Sequence, residues 1–168
     1  MTDAMELHHD ALVIDSLVYH ADGWPDDLRA GGIDAINVTA CNFECDFEQA
    51  CSEIARWHER FAQPDSAWMQ IETVSDFATA KAAGKIGAVL GWQNTRPIAD
   101  RIDRLYFFYK LGLRIMQLTY NYRNMIGDGC LEPEGAGLTT YGREVVEVMN
   151  DLGIAIDLSH VGYRTAMD

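Results

Sequence analysis

The stretch Ile86 to Trp92 (IGAVLGW) constrains this chain more than any other feature, because it is apolar at nearly every position. A strand with one wet face alternates polar and apolar residues, whereas a strand covered on both faces does not. The run therefore predicts a parallel strand buried on both sides. Similar but weaker runs stand at Ala11 to Asp15 (ALVID), Ala35 to Thr39, Leu113 to Thr119 (LRIMQLT) and Ile154 to Leu158 (IAIDL).

Helical spacing fills the intervals between them. Asp46, with Gln49 three residues on, reads as a capping box. Phe47, Ala50, Cys51, Ile54, His58 and Phe61 then share one stripe up to the break at Pro64. A short helix starts near Asp26 and ends at the Gly31-Gly32 pair, and a further helix opens at Ser75 and stops at Gly84. Ile98, Ile102, Leu105 and Tyr109 mark another helix, closed by Gly112. The helix capped at Thr139 or Thr140 runs to Gly153. The connection Tyr120 to Leu138, with four glycines and Pro133, is longer than ordinary loops and reads as functional or mobile.

Strand alternating with helix predicts an α/β fold with a parallel sheet. No G-x-G-x-x-G or G-x-x-x-x-G-K-[ST] follows a strand, which removes the main nucleotide-binding signatures. The remaining architecture is the (β/α)8 barrel, which takes about 250 residues. Five strand units in 168 residues predict an incomplete barrel, the N-terminal portion of a single barrel domain. Its unpaired first and last strands would invite pairing with another chain, so a homo-oligomer stays open.

Charge narrows the partners. Thirteen Lys and Arg against 26 Asp and Glu leave a net charge of −13, which repels phosphate backbones and anionic lipid, so neither nucleic acid nor a membrane is expected. Asp3, Glu6, Asp10 and Asp15 occupy the region where a signal peptide needs basic and then apolar residues, which reads as cytoplasmic. Cys41, Cys45, Cys51 and Cys130 form no C-x-x-C pair and read as buried or inert free thiols.

In barrels of this kind the working residues follow the C-terminal strand ends. That selects Asp15 to His20, Thr39 to Asn42, Gln93-Asn94, Tyr120-Asn121 and Ser159-His160. Ser159 and His160 cannot act as nucleophile and base, since neighbours on a regular strand point to opposite faces. His8 and His9 precede the first strand and read as solvent-facing at the barrel's other end. Asp22, Asp26 and Asp27 read as a solvated helix start.

Three segments carry a family resemblance: GAVLGWQN (Gly87 to Asn94), YKLGLRIMQLTYN (Tyr109 to Asn121) and GLTTYGREVVEVMNDLGIAIDLSH (Gly137 to His160). Through them the chain resembles, over nearly its whole length, the renal or membrane dipeptidases, zinc-dependent barrel hydrolases of the amidohydrolase type. The resemblance implies hydrolysis of a dipeptide or similar small amide, with zinc as cofactor. The family's motifs are D-G-H-x-D on the first strand, a Glu after Leu-Gly on the third, L-T-H on the fourth and D-x-S-H on the fifth. Asp15 matches the opening Asp, while Leu17 and Tyr19 stand at the two metal-ligand positions that follow.

Gln93 stands where the family bridges two zinc ions with a glutamate, and Tyr120 where a histidine contacts the substrate. His160 matches the fifth-strand ligand. The metal candidate is therefore His160, with Asp15 and Gln93 nearby, and two-zinc catalysis is in doubt because Leu17, Tyr19 and Gln93 are not ligands that hold zinc. His20 could stand in for a lost ligand only if the first loop rearranged. The candidate substrate-binding residues are Tyr19, Gln93, Asn94, Tyr120 and Asn121. The alternative reading is a metal-independent small-molecule binding protein, or an inactive fragment, on the same barrel.

Overall fold

A computed structural model describes residues 3–19, 23–133 and 135–168. The elements in chain order are α1 (Ala4–Asp10), β1 (Ile14–Val18), α2 (Pro25–Ala30), β2 (Ala35–Thr39), α3 (Phe47–Phe61), β3 (Trp68–Gln70) and α4 (Val74–Ala82). They continue with β4 (Ile86–Trp92), α5 (Asp103–Lys110), β5 (Leu113–Gln117), α6 (Thr140–Leu152), β6 (Ala155–Asp157) and α7 (Tyr163–Met167). All strand pairings are parallel, in the order β1-β2-β4-β5-β6. The short β3 pairs with the first three residues of β4, whose other end pairs with β5.

Burial explains the sheet. All seven residues of β4 are buried. Ile36, Val38, Ala88, Leu90 and Trp92 pack with Ile54 and Trp57 of α3, Leu105 and Phe108 of α5, and Val145 and Met149 of α6, forming the main core. Phe108 meets Trp92 edge to face, ring centroids 4.6 Å apart. Val89 points the other way and packs with Ile71, Ala80 of α4, Phe77 and Ile115. So α4 covers the face opposite α3, α5 and α6. The half-barrel of strands and helices is an incomplete barrel, with β1 and β6 as its two edges.

The Asp46 capping box forms as expected: Gln49 N donates to Asp46 Oδ1 at 2.9 Å and Asp46 N donates to Gln49 Oε1 at 3.0 Å. Several boundaries differ from expectation. The first strand begins at Ile14, not Ala11, because Ala11 N still donates to Leu7 O and closes α1, a helix the sequence reading missed. Asp34 Oδ2 accepts from Val13 N, and pairing begins only there. The helix expected from Ile98 begins at Asp103, since residues 95–102 pass through turns, including Ala99 at φ 48°. Ile98 is nonetheless fully buried. The helix expected from Ser75 starts one residue earlier, with Thr73 as its cap. The strand expected to reach Thr119 ends at Gln117, and that expected over Ile154 to Leu158 shortens to β6.

Cys41 and Cys45 are buried free thiols, and burial pushes the Cys41 thiol up. Cys51 is half-buried and Cys130 is exposed, both as free thiols. His8 and His9 lie on α1 and are exposed, with His8 Nε2 3.0 Å from Gly31 O. Among the described residues no helix is long and apolar enough to cross a membrane.

Candidate functional site

The strand ends are tied together by side-chain amides. Asn94, just after β4, donates from Nδ2 to Phe43 O at 3.0 Å, and its Oδ1 accepts from Thr95 N and Asn124 Nδ2, each at 2.9 Å. Thr95 Oγ1 donates to Leu118 O at 3.1 Å, and Asn124 Nδ2 reaches the same carbonyl at 2.8 Å. Asn124 Oδ1 accepts from Ile126 N at 2.8 Å. A buried polar group keeps its place only when paired, so this network fixes the ends of β4 and β5 against the loop after β2.

Tyr120 sits within a column of rings. Phe43 stacks on it with centroids 4.0 Å apart and 8° between planes, and His160 stacks on it at 4.3 Å and 24°. Two rings at such separations cannot share one face, so both faces of Tyr120 are covered and only its edge and hydroxyl are left for a ligand. His160 Nδ1 lies 2.8 Å from Asn121 Oδ1. An amide oxygen only accepts, so with this assignment the hydrogen is on Nδ1 and the neutral ring carries its lone pair at Nε2.

Asn121 and His160 both adopt the left-handed backbone region, φ 62° and 60°. They are held there by neighbours: Leu131 N donates to Asn121 O and Cys130 N to His160 O, each at 2.9 Å, and Gly129 bridges Val161. A Cβ on Gly129 would lie 2.2 Å from Asn121 C and O, so only glycine lets the two segments approach. The described residues of the segment from Tyr120 to Leu138 are thus clamped to the His160 turn through Asn121, Gly129, Cys130 and Leu131. Asp128 is its pivot, with Oδ1 bound by Arg123 Nε and Oδ2 by Ala136 N. The Arg123 guanidinium holds the Asp128 carboxyl below the usual carboxylate range.

A cavity of about 450 Å³ opens beside the ring column, lined among others by Phe43, Glu44, Asn94, Arg96, Tyr120 and Asn121. A second of similar size lies on the concave face and is lined by Asp15, Asn37, Ile71, Val89 and Ile115. The structure therefore brings Asn94, Tyr120, Asn121 and His160 together. Asp15 lines the other cavity, with its Oδ1 accepting from Leu17 N at 3.0 Å. Tyr19 is 44% exposed and Gln93 is buried; neither lines either of these cavities. His20 and Asp22 lie outside the described residues. Asp26 and Asp27 occupy the first turn of α2. Sequence reasoning missed Asn124, Gly129 and Cys130 as parts of the site; the loop's glycines were their one signal.

The donor set does not suit a pair of zinc ions. Leu17 offers no donor, and among the described residues the buried side-chain oxygens without partners, Asn37 Oδ1, Thr39 Oγ1, Gln117 Oε1 and the Tyr141 hydroxyl, are neutral. Among the described residues no group of three or more His, Cys, Asp or Glu is placed to hold a metal ion. Zinc wants imidazole, thiolate and carboxylate ligands, and of the positions named above Asp15 lines the second cavity whereas His160 stacks on Tyr120 beside the first.

Comparison with known proteins places these observations. The profile described as membrane dipeptidase (peptidase family M19) matches residues 26–168. An uncharacterized dipeptidase of Schizosaccharomyces pombe is 36% identical over 89 residues, 51% of this chain and 21% of that protein. Among solved structures, an amidohydrolase from Pseudomonas aeruginosa superimposes with a TM-score of 0.91 at 35% identity, covering 98% of this chain and 51% of the other. A metallo peptidase from Rhodobacter sphaeroides, liganded with a phosphinate mimic of the dipeptide L-Ala-D-Ala, shares the fold with a TM-score of 0.75 at 18% identity, covering 92% and 60%. The chain thus spans about half of the Pseudomonas structure and its match about a fifth of the yeast relative.

Proposed function

The chain belongs to the membrane dipeptidase family, peptidase family M19, and from that premise we propose that it supplies the substrate mouth of a dipeptidase-like hydrolase acting on a dipeptide or similar small amide. The observation that carries this is the Tyr120, His160 and Asn121 group standing beside a cavity of about 450 Å³ at the strand ends. That volume lies in the range of about 300–1,000 Å³ used by small-molecule sites. The fixed network around Asn94 holds the walls in place before a ligand arrives. The covered faces of Tyr120 leave its hydroxyl to hydrogen-bond the ligand.

Amide hydrolysis needs a group that takes and returns a proton near the carbonyl. His160 Nε2 fits that role in this chain, because the Nδ1 bond to Asn121 orients the ring and leaves the Nε2 lone pair unused. Family membership favours this hydrolase reading over a binding-only protein. The substitutions at Leu17, Tyr19 and Gln93 argue that no two-zinc centre forms here.

Thermal unfolding with L-Ala-L-Ala tests the reading. At about 100 times the dissociation constant, the dipeptide raises Tm by roughly 5 °C, equally with and without a chelator. No stabilisation by any dipeptide or small amide, together with no release of free amino acids, would overturn it.

A further inference from the structure

Among the described residues, the cavities at the mouth are lined by two cations, Arg96 and Arg123, and Arg96 is the uncommitted one. Arg29, Arg56, Arg101, Arg114, Arg123 and Arg143 each pair with a carboxylate, and Arg104 lies over the Phe47 ring. Arg96 makes no side-chain hydrogen bond or ion pair with the described residues, in a chain with twice as many acids as Lys and Arg. Its backbone, by contrast, is fixed on both sides. Thr95 is buried and bonded to Leu118 O, while Pro97 O accepts from Arg104 Nη1 at 3.2 Å.

Its place matters as much as its freedom. Arg96 and Asn124 line both the cavity of about 450 Å³ and a smaller one of about 200 Å³. The other charges lining these spaces are largely spent. Arg123 is bound to the buried Asp128, and Asp46 caps α3. Glu44 lines the larger cavity without coming within 4.0 Å of Arg96 in an ion pair. A guanidinium presents a planar fork that suits a carboxylate, and the ring column beside it offers an apolar wall.

We propose that Arg96 is a specificity residue of the mouth, binding the side-chain carboxylate of an acidic dipeptide or acylamino acid. This rests on the reading of the mouth as a site for dipeptides and small amides, and it names the class of substrate that site selects. The side-chain acid would enter between the two cavities, with the amide lying along Phe43 and Tyr120.

Titration calorimetry with N-acetyl-L-glutamate and N-acetyl-L-glutamine tests it, since the two differ only in the side-chain charge. The unmodified chain binds the glutamate derivative at least about tenfold tighter at low salt. R96Q brings the two within about twofold and R96K keeps part of the preference, while Tm and the circular dichroism spectrum stay unchanged. Equal affinities in the unmodified chain, a preference that survives R96Q, or no measurable binding of the acid would each overturn the proposal. L-Ala-L-Ala, run alongside, separates the two levels: if it still stabilises the chain, only the role of Arg96 has failed.

Discussion

Two facing residues in the left-handed backbone region, Asn121 and His160, each carry about 1–2 kcal/mol of conformational cost that the surrounding hydrogen bonds must offset. Asn124 shows how that is done. Its amide serves Asn94, Thr95 and Leu118 on one side and Ile126 N on the other. N124A leaves several of these groups without partners, so it should lower stability by about 2 kcal/mol, read as a fall in Tm. The position of His160 at a strand end was legible from the D-L-S-H context. The network around Asn94 was not, because the partner of an amide depends on which loops meet, and that is decided by packing. Tyr120 was legible as a mouth residue, while its burial between two rings required the loop carrying Phe43.

Among the elements, those with a complete local signal were read correctly. The capping box and stripe of α3, and the apolar runs of β2 and β4, define their own limits. β3 escaped because three residues hold too little periodicity, and α1 because it buries no residue. The loop from Tyr120 to Leu138 is organised by Asp128, whose side chain is 2% exposed. Its carboxyl is held below the usual carboxylate range chiefly by the hydrogen bond from Arg123. A depressed folded-state value means that its stabilisation is present above the ordinary carboxylate pKa and is lost as pH falls through the folded value. D128N should therefore lower Tm at neutral pH, and the gap to the unmodified chain should close on acidification. A gap that stayed constant with pH would show that the charge is not what matters.

Across the whole molecule, one sheet face is filled by α3, α5 and α6, and the other by α4 near the start of the strands. That second face also keeps buried neutral oxygens at Asn37, level with Val89, and at Thr39 and Gln117 at the strand ends. The parallel α/β class was legible from alternation, the barrel from that together with the missing nucleotide-binding glycine motifs, and the family from the three motif segments. The dipeptidase-family mouth is built mainly of neutral and aromatic groups around His160, with Arg96 as the cation lining it that has no partner among the described residues. Elemental analysis of the 168-residue chain, equilibrated with zinc and then desalted, tests this most directly. The account predicts well under one ion per chain and a Tm that zinc does not raise; two ions per chain, with a raised Tm that a chelator reverses, would contradict it.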